Sequence, residues 1–125
     1  MTRPATDRSP QTGDTSLRDA FALGATGLIE VMRVTRLLRK AHDVMHFAGV
    51  PASSRSHVRE LEVSFVKGDA PSPRYDPVTG LLRLFYAERE RHEVERVLTS
   101  KRSRYCYFWH SRDGMQRHAW LLTSP

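Results

Sequence analysis

The stretch YCYFWHSRDGMQRHAWLL, residues 105–122, limits what this chain can fold into more than any other. Asp113-Gly114 interrupts two runs dense in aromatic and apolar residues. The tight turn that matches the twist of paired strands needs positive φ at both central positions, and Asp-Gly is among the pairs that supply it most readily. With those two residues as the loop, Arg112 faces Met115, His110 faces Arg117, Trp109 faces His118 and Tyr107 faces Trp120. Side-chain alternation then puts Tyr105, Tyr107, Trp109, His118, Trp120 and Leu122 on one face. Cys106, Phe108, His110, Arg117, Ala119 and Leu121 share the other. Both faces are apolar near the base and polar or cationic at the tip, so the hairpin is either covered on two sides or shows rings to a partner.

The rest of the chain is read by periodicity. Residues 1–15 hold Pro, Thr, Ser, Asp and Gly with almost nothing apolar, so they predict a disordered tail. Ser16 is a candidate helix cap for LRDAFAL, which Gly24 and Gly27 interrupt. From Leu28 on, Leu28, Val31, Val34, Leu38, Ala41, Met45 and Ala48 recur at three- and four-residue steps, predicting a long amphipathic helix that ends near Gly49 and Pro51. RELEVSFVKG alternates like a half-buried strand, and LLRLFYA resumes one after the turn-rich GDAPSPRYDPVTG, predicting two antiparallel strands joined by a long loop. ERERHEVERVL is helical in composition and spacing. Together these predict one α+β domain over residues 16–125. Its long N-terminal helix packs on a small antiparallel sheet of about four strands in two hairpins, with a second helix between the hairpins.

Charge narrows the partners. Lys and Arg number 20 against 14 Asp and Glu, a net charge of +6, and every cation except Lys40, Lys67 and Lys101 is arginine. A guanidinium fork matches phosphate oxygens bidentately and stacks on bases, so nucleic acid is the expected partner and the expected function is non-catalytic binding or regulation. The candidate contacts are Arg33, Arg36, Arg39 and Lys40 on the exposed side of the first helix, and Arg102, Arg104, Arg112 and Arg117 around the hairpin. Tyr105, Tyr107, Trp109 and Trp120 are candidate stacking rings, although rings also dominate the core of a small sheet.

Other patterns point elsewhere. Within DVMHFAGVPASSRSHVREL, residues 43–61, the first part resembles the helix-turn-helix of bacterial repressors: a short helix from Asp43-Val44, a turn at Ala48-Gly49-Val50 and a second helix from Pro51. That resemblance implies Ser53, Ser54, Arg55, Ser56 and His57 at a major groove. Arg55 stands where that family buries an aliphatic residue. In HDVMH, His42 and His46 have the spacing of two ligands on one helix face, but Asp43 replaces the glutamate of the zinc-protease pattern and no third ligand is adjacent, so no metal is expected. No glycine-rich phosphate loop or nucleophile elbow is present, so no cofactor and no covalent catalysis are expected.

Two alternatives accompany the nucleic-acid reading. One is a protein-interaction module or inhibitor anchored on Trp109, Trp120 and arginines. The other is a small metal-independent ribonuclease, with His110 and His118 moving protons and Arg112 and Arg117 clamping phosphate. A free sheet edge would also pair with a second copy of the chain. The single Cys106 suits a reducing compartment. No apolar run approaches the ~20 residues that cross a bilayer, and the N-terminus lacks a signal-peptide core, so the expectation is a cytoplasmic protein with no membrane partner.

Overall fold

The segment expected to be a long helix forms two strands instead. The computed structural model describes residues 27–124, so the tail and the cap at Ser16 lie outside the described residues. Within them β1 spans Gly27–Lys40 and β2 spans Val44–Pro51, paired antiparallel through a short turn at residues 41–43. Val31, Val34, Thr35, Val44 and Val50 are β-branched residues that suit a pleated surface better than a helix. The apolar spacing that suggested a helix marks no single face: Leu28 and Val34 lie on the inner side and Val31 on the outer, and Leu38 is an extra residue at one of two register shifts of β1, between Val34 and Arg36 and between Leu37 and Arg39. Each inserts one extra residue, so side chains that would recur every two positions recur every three.

The remaining strands are β3 (Glu60–Val66), β4 (Arg74–Asp76), β5 (Leu81–Ala87), β6 (Arg104–Ser111) and β7 (Arg117–Thr123). They join β1 and β2 in one curled mixed sheet, ordered β4-β5-β3-β2-β1-β6-β7. The predicted α+β layout is therefore wrong: the fold is a mostly β half-barrel. The expected antiparallel pairing of residues 60–66 with 81–87 fails too, since β3 and β5 run parallel, Glu60 against Leu81 through Val66 against Ala87. The turn-rich connection contains β4, which pairs on the far side of β5. Asp76 shapes the turn between them by accepting from the Val78 and Gly80 amides.

The terminal hairpin has the predicted register, with Tyr107 opposite Trp120, Trp109 opposite His118 and His110 opposite Arg117. Its loop is not the two-residue turn, because Asp113 does not adopt positive φ. The Ser111 amide donates to the Gln116 carbonyl and Gly114 N–H to the Ser111 carbonyl, leaving a four-residue loop in which Gly114 takes φ +74°. The register survives because both loops are centred on the same Asp113-Gly114 bond.

The helical segment after β5 also forms. A 3₁₀ turn over Glu88–Glu90 leads into α1, Arg91–Leu98. Val94, Val97 and Leu98 face the inner side of the sheet and complete a core of Met32, Phe47, Leu61, Val63, Leu82, Tyr86, Cys106 and Leu121. Arg91 fastens the helix to the sheet: its guanidinium lies 4.4 Å over the Phe65 ring and bonds Asp43 and the His42 carbonyl at the β1–β2 turn. Curling brings Tyr75 on the edge strand β4 to 5.9 Å from Phe108 on β6.

Gly49 tests this packing. A Cβ there would stand 2.5 Å from Met32 Sδ and 2.7 Å from the Arg33 carbonyl oxygen. Gly49→Ala is expected to destabilise the chain by about 1–3 kcal/mol, read from the urea midpoint, because β1 and β2 must separate to admit the methyl. An unchanged midpoint would show that β2 does not lie against β1 as described.

Candidate functional site

The bulges of β1 do more than bend it. In an uninterrupted strand Arg33 and Arg36, three apart, would point to opposite faces. With the extra residues in place, Arg33, Arg36 and Arg39 lie opposite Val50, Ala48 and His46, alternate residues of β2, and so share the outer face. They are exposed, and successive ones stand about 7 Å apart along the strand. None has a carboxylate partner among the described residues. Glu60 and Glu62, on the same face, lie two strands or about 10 Å away, beyond the screening length of about 8 Å in physiological salt. They are also engaged, Glu60 with His46 Nε2 at 2.7 Å and Glu62 with Arg83 at 3.2 Å.

The other predicted contacts scatter. Lys40 projects on the opposite side of β1, 3.8 Å from Glu95. Arg104 serves the fold, donating to the Leu98 carbonyl at the end of α1 and to the Thr35 carbonyl. Arg102 is exposed in the turn before β6, while Arg112 and Arg117 are exposed at the hairpin tip, at the far end of β1 from Arg39. The aromatic row divides as well. Trp109 and Trp120 are 4% and 5% exposed and form, with Leu122, a second small core on the outer face. Tyr105 and Tyr107 are half-buried beside it, and Tyr105 is the β6 neighbour of Arg33.

Three further expectations are corrected or relocated. Residues 43–61 are a strand, a loop and the start of a strand, so there is no helix-turn-helix. His42 lies in the β1–β2 turn beside Asp43, and His46 bonds Glu60. No group of three metal-ligating residues occurs among the described residues. His110 and His118 face opposite sides of the sheet, His118 stacked at 5.4 Å on Trp109, so they cannot act on one bond. Burial pushes the Cys106 thiol well above its ordinary value, which leaves little thiolate near neutral pH.

One feature of the site region escaped the sequence reading. β2 ends opposite Met32, so the first residues of β1 face a loop rather than a strand, and a cleft of about 1140 Å³ opens there. Its walls carry Arg55 from the β2–β3 loop, Arg74 from β4, and His110 and Arg117 from the hairpin, with Leu28, Tyr75 and Phe108 among its apolar lining. Glu30 lies in the same wall, where its Oε1 accepts from the backbone amides of His57 (2.7 Å) and Val58 (3.1 Å) and so pins the loop. The sequence did hold one signal, a lone carboxylate in the apolar and basic run GLIEVMRVTR.

Tyr75 supplies a test. Its hydroxyl is buried and makes no hydrogen bond, although the Glu30 carboxylate is near enough to act on it. Burial first, and then that negative charge, push the phenol up to about 12 from its ordinary 10.0. A raised pKa favours the folded state below pH 10 and withdraws that contribution as pH rises through 12. Tyr75→Phe is therefore expected to lose less stability than the parent chain between pH 9 and 11, and at pH 7 to be unchanged or more stable by up to about 1 kcal/mol. Urea midpoints at the three pH values check this; parallel falls would sink it. No protein-family model matches the chain, and no curated protein or solved structure is significantly similar to it.

Proposed function

We propose that the chain is a nucleic-acid-binding protein that acts through the outer face of β1 and has no catalytic machinery of its own for that role. The observation that carries this reading is the alignment of Arg33, Arg36 and Arg39 by two bulges into one exposed, unpaired row. Guanidiniums about 7 Å apart on a rigid strand can follow successive phosphates of an extended strand. The half-buried Tyr105 beside Arg33 offers a ring edge next to that track. Trp109 and Trp120 are too buried to stack on bases and are left out of the interface. A single strand suits the site better than a duplex, because among the described residues no helix or two-stranded ribbon with base-reading side chains projects from this face.

Fluorescence anisotropy with labelled single-stranded DNA and RNA tests the proposal. Three phosphate contacts should give a log-affinity against log-salt slope near −2, from about −0.7 per contact. The triple variant Arg33→Ala, Arg36→Ala, Arg39→Ala should lower affinity at least about tenfold and flatten that slope, with the thermal midpoint little changed because the side chains are exposed. Failure of every oligonucleotide to bind at low salt would refute the function.

One observation favours a second reading, a protein partner. Beyond Val34, β1 has no strand on its β6 side among the described residues, and Leu37 and Leu38 there are 45% and 44% exposed. An extended apolar peptide adding a strand to that edge would bind with little salt dependence, through main-chain hydrogen bonds and contacts to Leu37 and Leu38. A shallow salt slope would select it.

A further inference from the structure

From the open cleft at the start of β1 we infer a second site, separate from the arginine row, for a small ligand that carries a phosphate monoester on an apolar or aromatic body. Arg55 and Arg117 reach this cleft from a loop and a strand far apart in the chain, so only the folded chain assembles them, while Arg74 lines it with its guanidinium turned over the Phe85 ring on the outer face. Among the described residues the one carboxylate in its wall, Glu30, is already occupied by two backbone amides. Among the described residues neither Arg55 nor Arg117 has a carboxylate partner, so the cleft presents two unpaired positive charges, close to the charge of about −1.5 to −2 on a phosphate monoester and above that of a carboxylate.

His110 is prepared for the same ligand. Its Nδ1–H donates to the Ser111 carbonyl at 2.8 Å, which leaves Nε2 as an acceptor for an N–H or O–H on the body of the ligand. Leu28, 61% exposed, and the Tyr75 ring supply an apolar lining beside the cations. The volume of about 1140 Å³ admits a molecule of nucleotide or short-lipid size, and the mouth of a curled sheet is a common place for one. A nucleoside monophosphate and an alkyl phosphate share the required chemistry, so the experiment separates them.

Calorimetric titration of the full chain with 5′-AMP and with dodecyl phosphate, each against its dephosphorylated counterpart, tests the inference. At least one monoester should bind with a Kd below about 1 mM, and its counterpart at least tenfold more weakly. Which monoester binds identifies the source of the ligand. Arg55→Ala and Arg117→Ala should each weaken binding about tenfold or more, as expected for loss of a charge-assisted hydrogen bond, while the thermal midpoint holds. The triple substitution of Arg33, Arg36 and Arg39 should leave monoester binding unchanged, so this site stands or falls apart from the oligonucleotide surface. Absence of binding by both monoesters, or binding that survives the Arg55→Ala, Arg117→Ala double variant, would overturn it.

Discussion

The two extra residues in β1 govern both the shape of this protein and the distribution of its charge. β1 pairs with β6 along its first part and with β2 along its second, so both halves of the sheet hang on it. A bulge bends its strand and increases the local twist. Bending of this kind lets seven strands curl until an edge strand touches β6, enclosing the inner apolar faces around Val94, Val97 and Leu98 of the helix. The same phase shifts return every third side chain to one face. Curvature and the arginine row therefore have a common cause.

Charge is segregated by this arrangement. The ion pairs among the described residues gather around α1, where Glu88, Glu93 and Glu95 meet Arg91, Arg96 and Lys40, or stand on β3 and its neighbours. Most of these are exposed pairs whose individual contribution to stability is small, so their chief effect is to take carboxylates away from the remaining cations. Among the described residues, cations without an ion pair then include those on the outer face of β1 and at the cleft beside its first residues, while Arg59, Lys67, Arg89, Lys101, Arg102 and Arg112 stand exposed elsewhere. Arg91 is the exception among the pairs, since it also stacks on Phe65 and holds the turn between β1 and β2.

The terminal hairpin and the helix over Glu88–Leu98 were legible in the sequence because each is decided locally. An Asp-Gly pair centres the hairpin register whether the loop has two residues or four, and strand alternation then assigns every ring to a face. The opposite outcome at residues 28–48 has an equally local appearance but a different cause. Apolar spacing of three and four is produced by a helix, and also by a strand whose apolar residues fall on both faces, as Leu28 and Val34 do on the inner side of β1 and Val31 on the outer. Counting periods cannot separate them; the β-branched content of the segment was the signal that could have.

By itself, the sequence determined that this chain has a surplus of arginine, an aromatic hairpin of known register, a short charged helix and strands at 60–66 and 81–87. Only the tertiary structure decided that Arg33, Arg36 and Arg39 share a face, that His110 and His118 do not, and that Arg55 and Arg117 line one cleft. The physical reason is that a side chain's face depends on strand phase, and phase is reset by bulges that form only when two strands pair. Likewise, residues far apart in the chain become neighbours only when the sheet curls, which reflects the burial of the whole inner face and not any local pattern.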